Sequence, residues 1–81
     1  MRVRVQLFGR AAEQAGEREL TLDLPKGATM RAAADRLRER CPALEALLAI
    51  SRPARNLEYV AWHTALEEGD EVSFIPPVSG G

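Results

Sequence analysis

Polar and apolar residues alternate from the start of the chain. Val3, Val5 and Leu7 are interleaved with Arg2, Arg4 and Gln6, and this period of two predicts a strand with one buried face. Gly9 ends that strand, and Arg10 to Ala15 reads as a short helical segment with Gly16 suited to a left-handed cap. Leu20, Leu22 and Leu24 then alternate with Glu19, Thr21 and Asp23, giving a second strand that Pro25-Lys26-Gly27 closes with turn chemistry.

The period next becomes helical. Met30, Ala33, Ala34, Leu37 and Cys41 form one apolar stripe, with Arg31, Asp35, Arg38 and Glu39 on the other faces and Thr29 placed to cap the first turn. Pro42 cannot continue that helix but can begin another, and Ala43 to Ile50 is apolar enough for a helical turn or two. Pro53 predicts a loop or a late strand start, because proline cannot serve a central ladder. Ala54 to Val60 reads as extended, interrupted near Asn56. After a turn at Glu67-Glu68-Gly69-Asp70, Glu71 to Ile75 forms a final strand with Val72 and Phe74 on one face. Pro76-Pro77 stops pairing, and Val78-Ser79-Gly80-Gly81 trails out as a tail.

The order of elements is strand, strand, helix, then two or three strands. This predicts an α+β fold: an early hairpin crossed by one main helix, with a late strand entering between its arms in a mixed sheet, the β-grasp arrangement. The 81 residues make one domain spanning 1–81, with a flexible tail over 76–81.

Composition removes several function classes. Eleven basic and twelve acidic residues are interspersed, for a net charge of −1, so there is no clustered basic excess of the kind nucleic acid requires. The lone Cys41 excludes an internal disulfide and a multi-cysteine metal site. No apolar run approaches the ~20 residues of a membrane helix, and the N-terminal residues lack a signal-peptide stretch. The expected compartment is the cytoplasm. There is no glycine-rich phosphate loop and no paired-ligand metal motif. His63 reads as a solvated side chain without an orienting partner, Cys41 as packing on its helix stripe, and Glu67-Glu68 as a solvated turn.

The tail differs from these. Two terminal glycines arise by chance roughly once in 200 chains, which is weak alone. Here they come after a strand and a Pro-Pro step, which holds an extended conformation and projects the residues beyond it. Four residues from Val78 to Gly81 can reach ~13 Å. Two residues without Cβ make a thin thread that permits close backbone approach to another protein. A C-terminal carboxylate becomes attackable once adenylated with ATP, and a sulfur donor can then leave a thiocarboxylate on a movable arm.

The segment Leu66-Glu67-Glu68-Gly69-Asp70-Glu71-Val72-Ser73-Phe74-Ile75-Pro76-Pro77-Val78-Ser79-Gly80-Gly81 resembles the end of the small-subunit family of molybdopterin synthase, within the ubiquitin-like sulfur carriers. A looser likeness covers the Val3 to Phe8 and Leu20 to Pro25 strands, the Thr29 helix and Asn56 near Tyr59-Val60. The resemblance implies that Gly81 is adenylated by a ubiquitin-activating-type enzyme, receives sulfur from a donor protein and becomes a thiocarboxylate. Gly80, Ser79, Val78, Pro77 and Pro76 form the arm that enters a large synthase subunit, where sulfur passes to a cyclic pterin precursor. It further implies a heterotetramer, partner contacts at positions Phe8, Tyr59 and Ile75, no cofactor on this chain itself, and ATP used by the activating partner. Sister carriers that feed thiamin, transfer-RNA or cysteine synthesis, and protein modifiers that join their terminal glycine to lysines, share the same activation chemistry. Two features depart from the family's usual look: Pro53 leads into the third strand, which is expected to start late, and Trp62 with His63 makes that edge bulkier and less acidic.

Overall fold

In the computed structural model, which describes residues 1–77, the alternating patterns become a five-stranded sheet. β1 (Arg2–Gln6) and β2 (Glu19–Asp23) run antiparallel, with Val3 opposite Leu22 and Val5 opposite Leu20. β3 (Arg52–Arg55) and β4 (Glu58–Tyr59) form a second antiparallel pair. β5 (Glu71–Ile75) joins the two halves, parallel to β1 and antiparallel to β3, so the order is β2-β1-β5-β3-β4. The late strand therefore lies beside the early hairpin, against β1, and does not enter between its arms. β1 and β2 already satisfy one another through Val3–Leu22 and Val5–Leu20, which leaves only the other edge of β1 open.

α1 (Gly9–Ala15) ends at Gly16, whose φ of 76° is left-handed and whose N–H donates to the Ala12 carbonyl at 2.8 Å. α2 (Met30–Arg40) begins where the Thr29 hydroxyl accepts the Ala32 N–H at 3.3 Å. Met30, Ala33, Ala34 and Leu37 are buried against Val3, Val5, Leu22 and Val72 in a single core. Cys41 closes α2, donating its N–H to the Leu37 carbonyl, and is half-buried at the rim of that core. A 3₁₀ turn (Pro42–Leu44) leads into α3 (Glu45–Ile50), where Leu44 and Leu48 complete the core.

Two prolines set the limits of the sheet. Pro53 is the second residue of β3 and is buried opposite Phe74, so the strand starts at Arg52 and not late. Its carbonyl accepts the Val60 N–H at 3.1 Å, but it has no N–H to return the bond. The β3–β4 ladder consequently ends there, and β4 keeps only Glu58 and Tyr59. Pro76, just past β5, is half-buried and lines a small apolar recess with Leu7, Leu37, Leu44, Leu48 and Phe74.

The free edge of β2 is also occupied. Leu24 donates its N–H to the Met1 carbonyl, so even-numbered residues of β2 face β1 while Thr21 and Asp23 turn their peptide groups outward. Two arginines of α2 reach these outward carbonyls: Arg40 donates to Thr21 at 2.7 Å and Arg36 to Asp23 at 3.1 Å.

Candidate functional site at the base of the tail

Because side chains alternate across a strand, the residues of β1, β2 and β5 that do not face α2 share the helix-free face of the sheet. In the β1–β2 half, that face carries Arg2, Arg4, Asp23 and Glu19. Arg2 pairs with Asp23 at 3.3 Å and Arg4 with Glu19 at 3.9 Å. Beyond β1, toward the end of β5, the face carries apolar residues beside Arg52. Ile75 closes β5 on this side, opposite Arg52, and Ser73 lies opposite Ala54, which in turn faces Tyr59 on β4.

Gln6 is the last residue of β1 to pair with β5, against Ser73. Phe8 and Ile75 each lie two residues further on, so the continued register sets them side by side. Phe8 keeps an extended backbone (φ −122°, ψ 152°) and starts α1, its carbonyl accepting the Ala11 N–H at 3.0 Å. It is 57% exposed and Tyr59 is 53% exposed, whereas Ile75 is half-buried. Among the described residues no helix covers Phe8 or Tyr59. The floor between the strands is closed by Ala54 and Ser73, both buried. Phe8 also forms one wall of an open cleft of about 740 Å³ against α1, Glu17 and Arg18.

Arg52 joins this site although nothing in the sequence singles it out, because Pro53 argues against a strand at that point. Its guanidinium stacks over the Tyr59 ring, 4.1 Å from the centroid. Starting β3 one residue before the proline is the signal that finds it: the alternation Arg52, Ala54 then places it on this face.

Trp62, expected at the partner-facing edge, turns inward instead. It is half-buried on the core, stacked on Phe74 with centroids 5.9 Å apart, and Arg31 lies over the indole at 5.2 Å. Phe74 points to the helix side of the sheet, so Trp62 fills space beneath α2 and its bulk does not reach the Phe8–Ile75–Tyr59 face. His63 is exposed in the following turn. Val78, Ser79, Gly80 and Gly81, on which the arm chemistry rests, lie outside the described residues.

A mixed five-stranded sheet with its last strand between the first and third, and one main helix packed across one face, defines a ubiquitin-like β-grasp protein. The ThiS family model matches residues 5–81, and the chain belongs to that family. It is 38% identical over 79 residues to the molybdopterin synthase sulfur carrier subunit of Arabidopsis thaliana, covering 98% of this chain and 82% of the relative. It is also 38% identical over 84 residues to small archaeal modifier protein 1 of Haloferax volcanii, covering 94% of this chain and 97% of the relative. The crystal structure of SAMP1 from Haloferax volcanii superposes with a TM-score of 0.90 at 35% identity, with each chain fully covered (100%).

Proposed function

We propose that this chain is a sulfur carrier for molybdopterin assembly and works as the small subunit of a two-component synthase. The observation that carries the reading is where β5 ends. β5 is locked between two neighbours up to Ile75 and Pro76 is seated on the core, so the last described residues lie beside the face that exposes Phe8 and Tyr59. A relative named as a molybdopterin synthase sulfur carrier subunit supports the choice of pathway.

In this reading the Gly81 carboxylate attacks the α-phosphate of ATP on a ubiquitin-activating-type enzyme, releasing pyrophosphate. A persulfide on a donor protein displaces AMP from the acyl carbon to give an acyl disulfide. A second thiol then attacks the donor-side sulfur of that disulfide, forming a new disulfide with the donor and leaving the C-terminus as a thiocarboxylate. The Pro76–Gly81 arm then delivers that sulfur into the large subunit, which holds the cyclic pterin precursor and excludes water. Phe8, Tyr59 and Ile75 dock against the large subunit, so that surface binding and tail insertion are separate contributions to one complex. The two proteins meet in the cytoplasm, and ATP is consumed by the activating enzyme. This chain supplies a rigid platform and a reactive end.

The test is reconstitution. The chain is incubated with activating enzyme, ATP and sulfur donor, its intact mass is read for exchange of one terminal oxygen for sulfur, and large subunit with precursor is then added. Exchange followed by dithiolene formation supports the proposal, and failure to exchange under conditions that load a known carrier overturns it.

The likeness to small archaeal modifier protein 1 favours a second reading, in which the activated Gly81 acyl group is captured by lysine amines of other proteins. Isopeptide-linked adducts in the same reaction with sulfur donor omitted would identify that activity.

A further inference from the structure

The helix-free face is divided electrostatically. On its β1–β2 half each arginine has an acidic partner, Arg2 with Asp23 and Arg4 with Glu19. On its β5–β3–β4 half, Arg52 forms no ion pair among the described residues. Its guanidinium lies over Tyr59. Across the ladder it faces Ile75, the residue from which the tail departs. The acidic position of β5 on this face, Glu71, is four residues down the strand, about 13 Å away at the usual rise. An arginine held over an aromatic ring keeps its in-plane N–H donors free, because stacking uses the face of the guanidinium and hydrogen bonding uses its edge.

We propose that Arg52, stacked on Tyr59 beside Ile75, is a docking determinant that receives a carboxylate from the protein into which the tail is inserted. The proposal rests on the sulfur-carrier reading and adds the chemistry of the partner: an acidic side chain set at the rim of an apolar pocket for Phe8 and Ile75. Charge complementarity is the reason for choosing an acidic group. The Tyr59 ring pre-orders the arginine, and burial of Ile75 and Tyr59 under the partner excludes water from the ion pair. An exposed pair contributes little, whereas a pair at the dry centre of an interface is strengthened by the lower dielectric. The position beside the tail base aligns the arm as the surfaces meet.

The experiment titrates the full chain and its Arg52→Glu, Arg52→Ala and Arg52→Lys variants against the large subunit at low and high salt, with circular dichroism on each. Lys26→Glu, an exposed substitution in the turn after β2 with the same change of net charge, is the control. The expected result is a loss of affinity of tenfold or more for Arg52→Glu, a smaller loss for Arg52→Ala, partial retention for Arg52→Lys, and little change for Lys26→Glu. Reversing the matching acidic residue of the large subunit to arginine should restore binding of Arg52→Glu. Equal affinity of the parent and the folded Arg52→Glu variant, or equal losses for Arg52→Glu and Lys26→Glu, overturns the role of Arg52 while leaving the carrier reading intact. A parent chain that does not bind the large subunit at all overturns both.

Discussion

Asn56 ties the tip of the β3–β4 hairpin to the start of the final strand: its carboxamide oxygen accepts the Glu71 N–H at 2.9 Å. Its own backbone N–H donates to the Glu71 carbonyl at 2.8 Å. Its amide nitrogen adds a bond to Asp70, which in turn accepts the Glu67 N–H. The clamp holds β5 in register with β3 from the end opposite the tail. Asn56→Ala should destabilise the domain by about 1–3 kcal/mol, because it removes the acceptor and leaves an alanine at φ 49°. Asn56→Gly should cost less, since it loses the same side-chain bonds without the dihedral penalty. Urea denaturation of the three proteins measures the difference.

Leu57 comes next, with φ 70° and 80% exposed. Two positive dihedrals in succession are what a type I′ hairpin turn requires, and glycine suits the second of them far better than leucine. Leu57→Gly should stabilise the chain by about 0.5–1 kcal/mol, the relieved strain exceeding the entropy cost of glycine. The same denaturation experiment checks it.

The arginines over β2 guard an edge strand. Arg40 and Arg36 occupy the outward carbonyls of Thr21 and Asp23, the groups another strand would use to pair. The double substitution Arg36→Ala, Arg40→Ala should leave the monomer folded and increase self-association at high concentration. Light scattering against concentration, beside the parent, reads this directly.

Much of the framework is legible because the chain signals its own periods. The Val3–Leu7 and Leu20–Leu24 alternations, the Met30–Leu37 stripe and the Thr29 cap all rely on contacts close in sequence. The differences between expectation and structure are long-range. The placement of β5 depends on pairing between Val5 and Val72, and no local pattern declares which edge of a hairpin stays open. Pro53 misleads because a missing N–H argues against a strand with a neighbour on each side. The structure points that nitrogen toward β4, so only the short β3–β4 ladder is curtailed. Trp62 misleads because the resemblance sets it at the partner-facing edge, whereas its large apolar ring packs inward on Phe74. The Arg36 and Arg40 caps are invisible in the sequence because a helix face says nothing of the carbonyls it overhangs.

Cys41 is half-buried at the end of α2. Cys41→Ala should retain sulfur loading of the tail and lose about 1 kcal/mol of stability by removal of one packed group. Intact-mass analysis after loading, beside a thermal melt, separates packing from participation, and loss of loading in a folded variant would assign the thiol a chemical role.

Threading of the tail is tested at Gly80. Gly80→Val should leave the domain folded and its surface affinity for the large subunit largely unchanged, while sulfur transfer falls steeply, because a β-branched residue is wider and stiffer than bare backbone. Deleting Gly81 should abolish transfer, the reacting carbon stopping one residue, about 3.5 Å, short. Single-turnover product formation with each variant decides whether the arm acts by insertion.

The central position of β5 has a consequence for how the protein is made. Until residue 75 has been synthesised, β1–β2 and β3–β4 are separate two-stranded ribbons, which are marginal in water by themselves. Val5 pairs with Val72, so closing the sheet means bringing together segments far apart in the chain. A chain interrupted before β5 therefore leaves the inner edge of β1 unpaired and the core without Val72 and Phe74. The strand that completes the fold is the same strand that leads into the arm. A chain cut short before it therefore lacks both the closed sheet and the segment that follows it.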